Sequence, residues 1–95
     1  MKTADECLNI EEIRSEIDRI DMRIISEISS RYKYVKAAAR YKKDEESVKA
    51  TDRVKKMMEA RRQWALEEGL DPDVIEKLFT CLVNYFIGEE LKQIR

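Results

Sequence analysis

NIEEIRSEIDRIDMRIISEI, residues 9–28, sets isoleucine at positions 10, 13, 17, 20, 24 and 28. Those steps of three and four draw one apolar stripe along an α-helix. The start is marked as well. Asn9 and Glu12 have capping-box spacing, and Leu8 with Ile13 occupies the hydrophobic-staple positions. The stripe continues through Val35 and Ala38, and neither Gly nor Pro intervenes before about Lys43. A first helix of roughly 33 residues would be about 50 Å long at 1.5 Å per residue. A 95-residue chain is too small to cover such a rod by itself, so the rest of the stripe calls for another chain.

Upstream of the stripe, Met-Lys-Thr-Ala-Asp-Glu-Cys contains no apolar signal region, and no stretch reaches membrane-spanning length. Cytoplasmic residence and no membrane partner are the expectations. Downstream, residues 43–49 are polar, break the periodicity and read as a loop, one that could also act as a lid beside Lys42. A second helix is expected from near Thr51, carrying Val54, Met57, Met58, Arg61, Trp64 and Ala65, and ending at Gly69 as a left-handed terminator. Met57, Met58 and Trp64 read as packing residues. Asp71 and Pro72 then form an N-cap followed by proline at the first helical position. The third helix carries Val74, Ile75, Leu78, Phe79, Leu82, Val83, Phe86, Ile87 and Leu91, a face wide enough to lie between other helices. The expected fold is all-α, with three helices in a single domain over residues 1–95.

Composition removes several classes of function. Nineteen basic and 20 acidic side chains leave a net charge of -1, which argues against a general nucleic-acid binder. Two isolated cysteines and no histidine make a zinc site unpromising and exclude nucleophile triads that need an imidazole base. Cys7 is expected to be an exposed thiol and Cys81 a buried small apolar residue.

The informative residues are polar ones on faces that should be apolar. Arg31 and Lys42, eleven positions apart, would lie about 20° apart around one helix with backbones about 16 Å apart, and could bracket a metabolite. The plainer alternative is two solvated charges. Arg53 falls in the first turn of the second helix, where a cation suits a bound carboxylate better than it suits the helix dipole. Glu90 extends the apolar row Ile75, Phe79, Leu82, Phe86. There it either pairs with a buried cation or keeps its proton, unless the helix end frays and leaves it wet. Arg14, about 25 Å along the rod from Arg31, could join one small ligand only from an antiparallel partner.

Taken together, Ile13-Arg14, Ile17-Asp18-Arg19-Ile20-Asp21, Arg31, Tyr34-Val35-Lys36-Ala37-Ala38, Arg40, Lys42, Arg53-Val54, Trp64-Ala65, Gly69-Leu70-Asp71 and Leu78-Phe79 resemble the all-helical chorismate mutase family. The N-terminal Met-Lys-Thr with Cys7, the Tyr34–Lys42 stretch and Trp64 resemble its salicylate-forming branch, the isochorismate pyruvate lyases of siderophore pathways. The resemblance implies an intertwined homodimer with two sites, each built from both chains around a small dicarboxylate, isochorismate or chorismate. It implies that Arg14 reaches in from the neighbouring chain to a substrate carboxylate and that Arg31 and Arg53 hold carboxylates. It further implies that Lys42 meets the ether oxygen and a carboxylate at the border of a loop that orders over ligand. Glu90 departs from the glutamine of the lyases and matches the glutamate of some mutases.

No metal or cofactor is implied. The implied reaction is pericyclic: the enolpyruvyl ether C–O bond breaks as a hydrogen, in the lyase, or a carbon, in the mutase, moves to the enolpyruvyl methylene. The protein would hold the reactive pose and stabilise charge growing on the ether oxygen. Lys42 donates at ordinary pH, whereas Glu90 donates only when protonated, so activity should fall as pH rises through its titration. Three functions follow as alternatives: isochorismate pyruvate lyase with side chorismate mutase activity, a dedicated chorismate mutase making prephenate, or a non-catalytic helical dimerisation module. Arg31 and Lys42, unpaired without ligand, would destabilise the empty dimer, and a dicarboxylate would raise its melting temperature.

Overall fold

The computed structural model describes residues 2–94; Met1, which opens the N-terminal tripeptide, and Arg95 lie outside them. Every regular element among the described residues is helical: a 3₁₀ turn Ala4–Glu6, α1 Ile10–Ala39, α2 Glu45–Lys49, α3 Thr51–Glu67 and α4 Pro72–Ile94. The all-α expectation holds, with α1, α3 and α4 as the three expected helices. None is long and apolar enough to cross a membrane. The chain divides into two units, the first running to Tyr34 and the second beginning at Val35.

The first unit holds the 3₁₀ turn and most of α1. Asn9 Oδ1 accepts from the Glu12 amide at 2.9 Å as the capping spacing predicts, and Glu12 Oε2 accepts from the Leu8 amide at 2.7 Å, one residue ahead of the N-cap. Among the described residues of this unit, no large apolar side chain is buried. Ile10, Ile13, Ile17, Ile20 and Ile24 keep between 39% and 52% of their surface. An apolar stripe that one chain leaves open is what the sequence anticipates.

The second unit contains the core, formed by Ala39, Val48, Met57, Ala65, Val83 and Phe86. α4 packs against both α3 and α2. Gly69 adopts φ 75°, and the Leu70 amide reaches back to the Ala65 carbonyl at 2.7 Å, which closes α3 as the sequence predicts. Asp71 Oδ1 caps α4 through the Asp73 amide at 2.8 Å. Across the same turn, Arg62 Nη1 donates to Asp73 Oδ1 at 2.8 Å and to Glu76 Oε1 at 3.1 Å.

Four expectations are corrected here. α1 stops at Ala39 instead of near Lys43, because the amides of Arg40, Tyr41 and Lys42 turn to carbonyls three residues back and tighten the last turn. Lys42 therefore lies outside the helix, and the shared-face argument linking it to Arg31 lapses. Residues 43–49 are not a plain loop: Asp44 Oδ1 accepts from the Ser47 amide at 2.7 Å and starts the one-turn α2. Trp64 is half exposed instead of packed, with the Arg61 guanidinium stacked 4.7 Å from its ring. Cys7 is half-buried and Cys81 exposed, the reverse of the expectation, since Cys81 lies on an outer row of α4 with the exposed Val74, Leu78 and Tyr85.

Candidate functional site

α4 delivers Glu90 to the interior of the second unit. Its apolar row ends in a residue that retains 4% of its surface, so helical periodicity leaves this carboxylate nowhere to meet bulk water. A buried carboxylate needs a cation or a proton. Lys42 supplies the cation: its Nζ donates to Glu90 Oε2 at 2.9 Å, with 26% of the lysine side chain and 6% of the glutamate side chain exposed. Of the two buried states open to Glu90, the chain adopts the ion pair. The helix does not fray there, and neither Lys42 nor Arg31 is without a partner, which corrects the expectation that the two stand unpaired.

The pair is brought together by a chain of local causes. The tightened end of α1 releases Lys42 onto the start of the connection to α2, and the Asp44 cap redirects the backbone immediately afterwards. Val48 of α2, only 2% exposed, anchors that segment in the core. The lysine head thus sits on a short, doubly fixed segment. Its three N–H donors are not all consumed by one carboxylate oxygen, which leaves donor capacity for an anionic ligand.

Arg53, in the first turn of α3, is exposed and lines an open depression of about 630 Å³ with Lys49, Ala50, Thr51 and the acidic Glu45, Glu46 and Asp52. Ala50 joins α2 to α3 in the left-handed region, φ 39°, and no side chain caps α3 there. Amides at that helix start and the Arg53 guanidinium share an open surface where a carboxylate could be held. Neither Lys42 nor Glu90 lines this depression. Arg14 is exposed on α1, and Arg31, 17 residues along the same helix, is half-buried. The chain therefore joins Lys42 to Glu90 directly and presents Arg14 and Arg53 on open surfaces.

Two features escaped the sequence. Arg61 lies against both Trp64 and, at 5.7 Å, the ring of Phe79, linking α3 to α4; the spacing of Arg61 and Trp64 at i and i+3 was its one local signal. Lys2 Nζ donates to Glu12 Oε1 at 2.8 Å across ten residues, and nothing in the spacing announces it. Among the described residues no group of acidic or cysteine side chains is arranged to hold a metal ion.

Comparison with known proteins adds two findings. The family model described as chorismate mutase type II matches residues 13–91. Over 95 residues, all of this chain and 94% of the relative, the sequence is 41% identical to the isochorismate pyruvate lyase of Pseudomonas aeruginosa.

Proposed function

We propose that this chain, which belongs to the chorismate mutase type II family, is an isochorismate pyruvate lyase that converts isochorismate to salicylate and pyruvate, with chorismate mutase activity on the side. The full-length likeness to the Pseudomonas lyase carries the choice of reaction. The family match runs across both units, which supports one domain over residues 1–95.

The chemistry asked of the protein is positioning and charge stabilisation. As the ether C–O bond breaks, a ring hydrogen passes to the enolpyruvyl methylene, pyruvate leaves and the ring becomes aromatic. Negative charge grows on the ether oxygen in the transition state. Lys42 answers it: a mostly desolvated ammonium on a fixed segment costs little reorganisation when that charge appears. Glu90 as a carboxylate orients Lys42 and cannot donate, whereas its protonated form can donate to the same oxygen. Arg31 and Arg53 hold the substrate carboxylates, and Arg14 enters from a second chain. The open isoleucine stripe of α1 supports that homodimer, because it gives the second chain an apolar surface to cover.

A dedicated chorismate mutase is the second reading, favoured by the carboxylate at position 90. Purified protein offered each substrate separately separates the two. Salicylate fluorescence from isochorismate, faster than prephenate from chorismate, is the expected result; prephenate alone would establish the mutase, and neither product would end the enzymatic reading. Within the lyase, Glu90→Gln keeps an acceptor for Lys42 and adds an N–H donor toward the ether oxygen, so the variant should retain lyase activity.

A further inference from the structure

We infer that Glu12 is a positioning residue for Arg14: held between Lys2 and the Leu8 amide, it keeps the first turns of α1 formed so that Arg14 is presented to the substrate of the neighbouring chain. The inference rests on the proposed role of Arg14 and goes beyond it by assigning a function to the N-terminal segment.

Both Glu12 oxygens are engaged. Oε1 accepts from Lys2 Nζ at 2.8 Å and Oε2 from the Leu8 amide at 2.7 Å, while the Glu12 amide donates to Asn9 Oδ1 at 2.9 Å. The segment ahead of α1 is itself folded, with the Glu6 amide on the Thr3 carbonyl at 3.0 Å and the Cys7 amide on that of Ala4 at 3.4 Å. Residues 2–9 thus form a clasp closed on the third residue of α1.

Arg14 is the fifth residue of that helix. Helical side chains lean toward the N-terminus, so Arg14 lies over the turn that contains Ile10 and Glu11. That turn carries the unsatisfied amides of a helix start and frays first when nothing holds it. No buried apolar residue anchors it here, since Ile10 and Ile13 are 50% and 39% exposed. Within the single chain the clasp is what fixes it, and the apolar cover of a second chain would add to that hold. Glu12 and Arg14 are two residues apart, about 200° around the helix, so the clasp grips one side and leaves the other open for a ligand. Loss of the clasp lowers the fraction of chains with Arg14 in place, and apparent substrate affinity falls by that fraction.

The test compares Glu12→Ala, Glu12→Gln, Arg14→Ala and the double variant Glu12→Ala/Arg14→Ala, with circular dichroism and sedimentation confirming fold and assembly. Glu12→Ala is expected to raise KM for isochorismate about five-fold, the scale of a lost helix cap, with kcat unchanged. Glu12→Gln, which still accepts from the Leu8 amide, should fall between it and the parent. In the Arg14→Ala background, removing Glu12 should raise KM no further, because its effect passes through Arg14. A wild-type chain inert toward both isochorismate and chorismate overturns the functional reading and this inference together. An Arg14→Ala variant with unaltered KM overturns the role of Arg14 and the inference with it. If Arg14→Ala is impaired but Glu12→Ala is not, or if the two effects simply multiply, the inference alone is overturned.

Discussion

Replacing Lys42 with methionine removes the charge that Glu90 meets inside the second unit while keeping most of the side-chain volume. Glu90 retains 4% of its surface, so the orphaned carboxylate has almost no access to water. Breaking a buried pair from one side costs about 3–5 kcal/mol. Lys42 keeps 26% of its side chain exposed, which softens the pair, so the low end applies, about 3 kcal/mol. For a domain of this size each kcal/mol moves the melting temperature by about 4–8 °C, giving a fall of about 12–24 °C. Glu90→Gln should cost far less, about 1 kcal/mol, because the amide oxygen still accepts from Lys42 and the ammonium remains partly hydrated. Lys42→Met/Glu90→Leu removes both charges and should melt near the parent, since an apolar pair of similar volume often replaces a buried ion pair without loss.

Thermal unfolding followed by far-UV circular dichroism, at one fixed protein concentration, measures all four proteins. A Lys42→Met shift below about 4 °C at pH 8, or equal shifts for Lys42→Met and Glu90→Gln, would refute the placement of Glu90 as a buried, paired carboxylate.

Three further outcomes are expected. Five half-exposed isoleucines on α1 offer roughly 4–8 kcal/mol of further apolar burial per chain, so Ile17→Lys should shift the protein toward monomer in sedimentation velocity and lower activity in parallel; an unchanged dimer would place the interface elsewhere. Ala50→Gly relieves the left-handed φ of 39° and should stabilise by about 0.5 kcal/mol after the entropy of glycine is subtracted, whereas Gly69→Ala, at φ 75°, should destabilise by about 1 kcal/mol in urea unfolding. The Ser47 amide first, and its hydroxyl second, hold the Asp44 carboxyl below the usual range, and the Leu8 amide followed by Lys2 does the same for Glu12. Both carboxyls contribute stability above their unfolded titration, near about 4, and lose it as pH falls through the lower folded values, so α2 and the N-terminal clasp should loosen first in acid. Carboxyl-carbon NMR titration checks this, and midpoints at or above the unfolded values would contradict it.

How much of this was legible in the sequence depended on whether a residue's partners lay within a few positions of it. The caps at Asn9 and Asp71 and the terminator at Gly69 are local, and each was readable from spacing. The end of α1 was not, because Arg40, Tyr41 and Lys42 are acceptable helix formers and their turn involves no Gly or Pro. The start of α2 was readable in principle: Asp44 ahead of Glu45 and Glu46 is an N-cap with an acidic first turn, masked by its charge density.

The site divides along the same line. Glu90 stood out because a carboxylate on an apolar row demands a partner. Lys42 was singled out with Arg31 on a shared-face argument that the end of α1 removes, and its pairing with Glu90 spans 48 residues, a distance that periodicity cannot bridge. Glu90 was therefore the better guide to the site, since burial leaves a charged side chain few solutions and each solution names a partner of definite chemistry. Arg14 and Arg53, exposed in the single chain, have no such constraint acting on them. Their identification rests on family pattern, and the proposed function asks a second chain to bring them to one ligand.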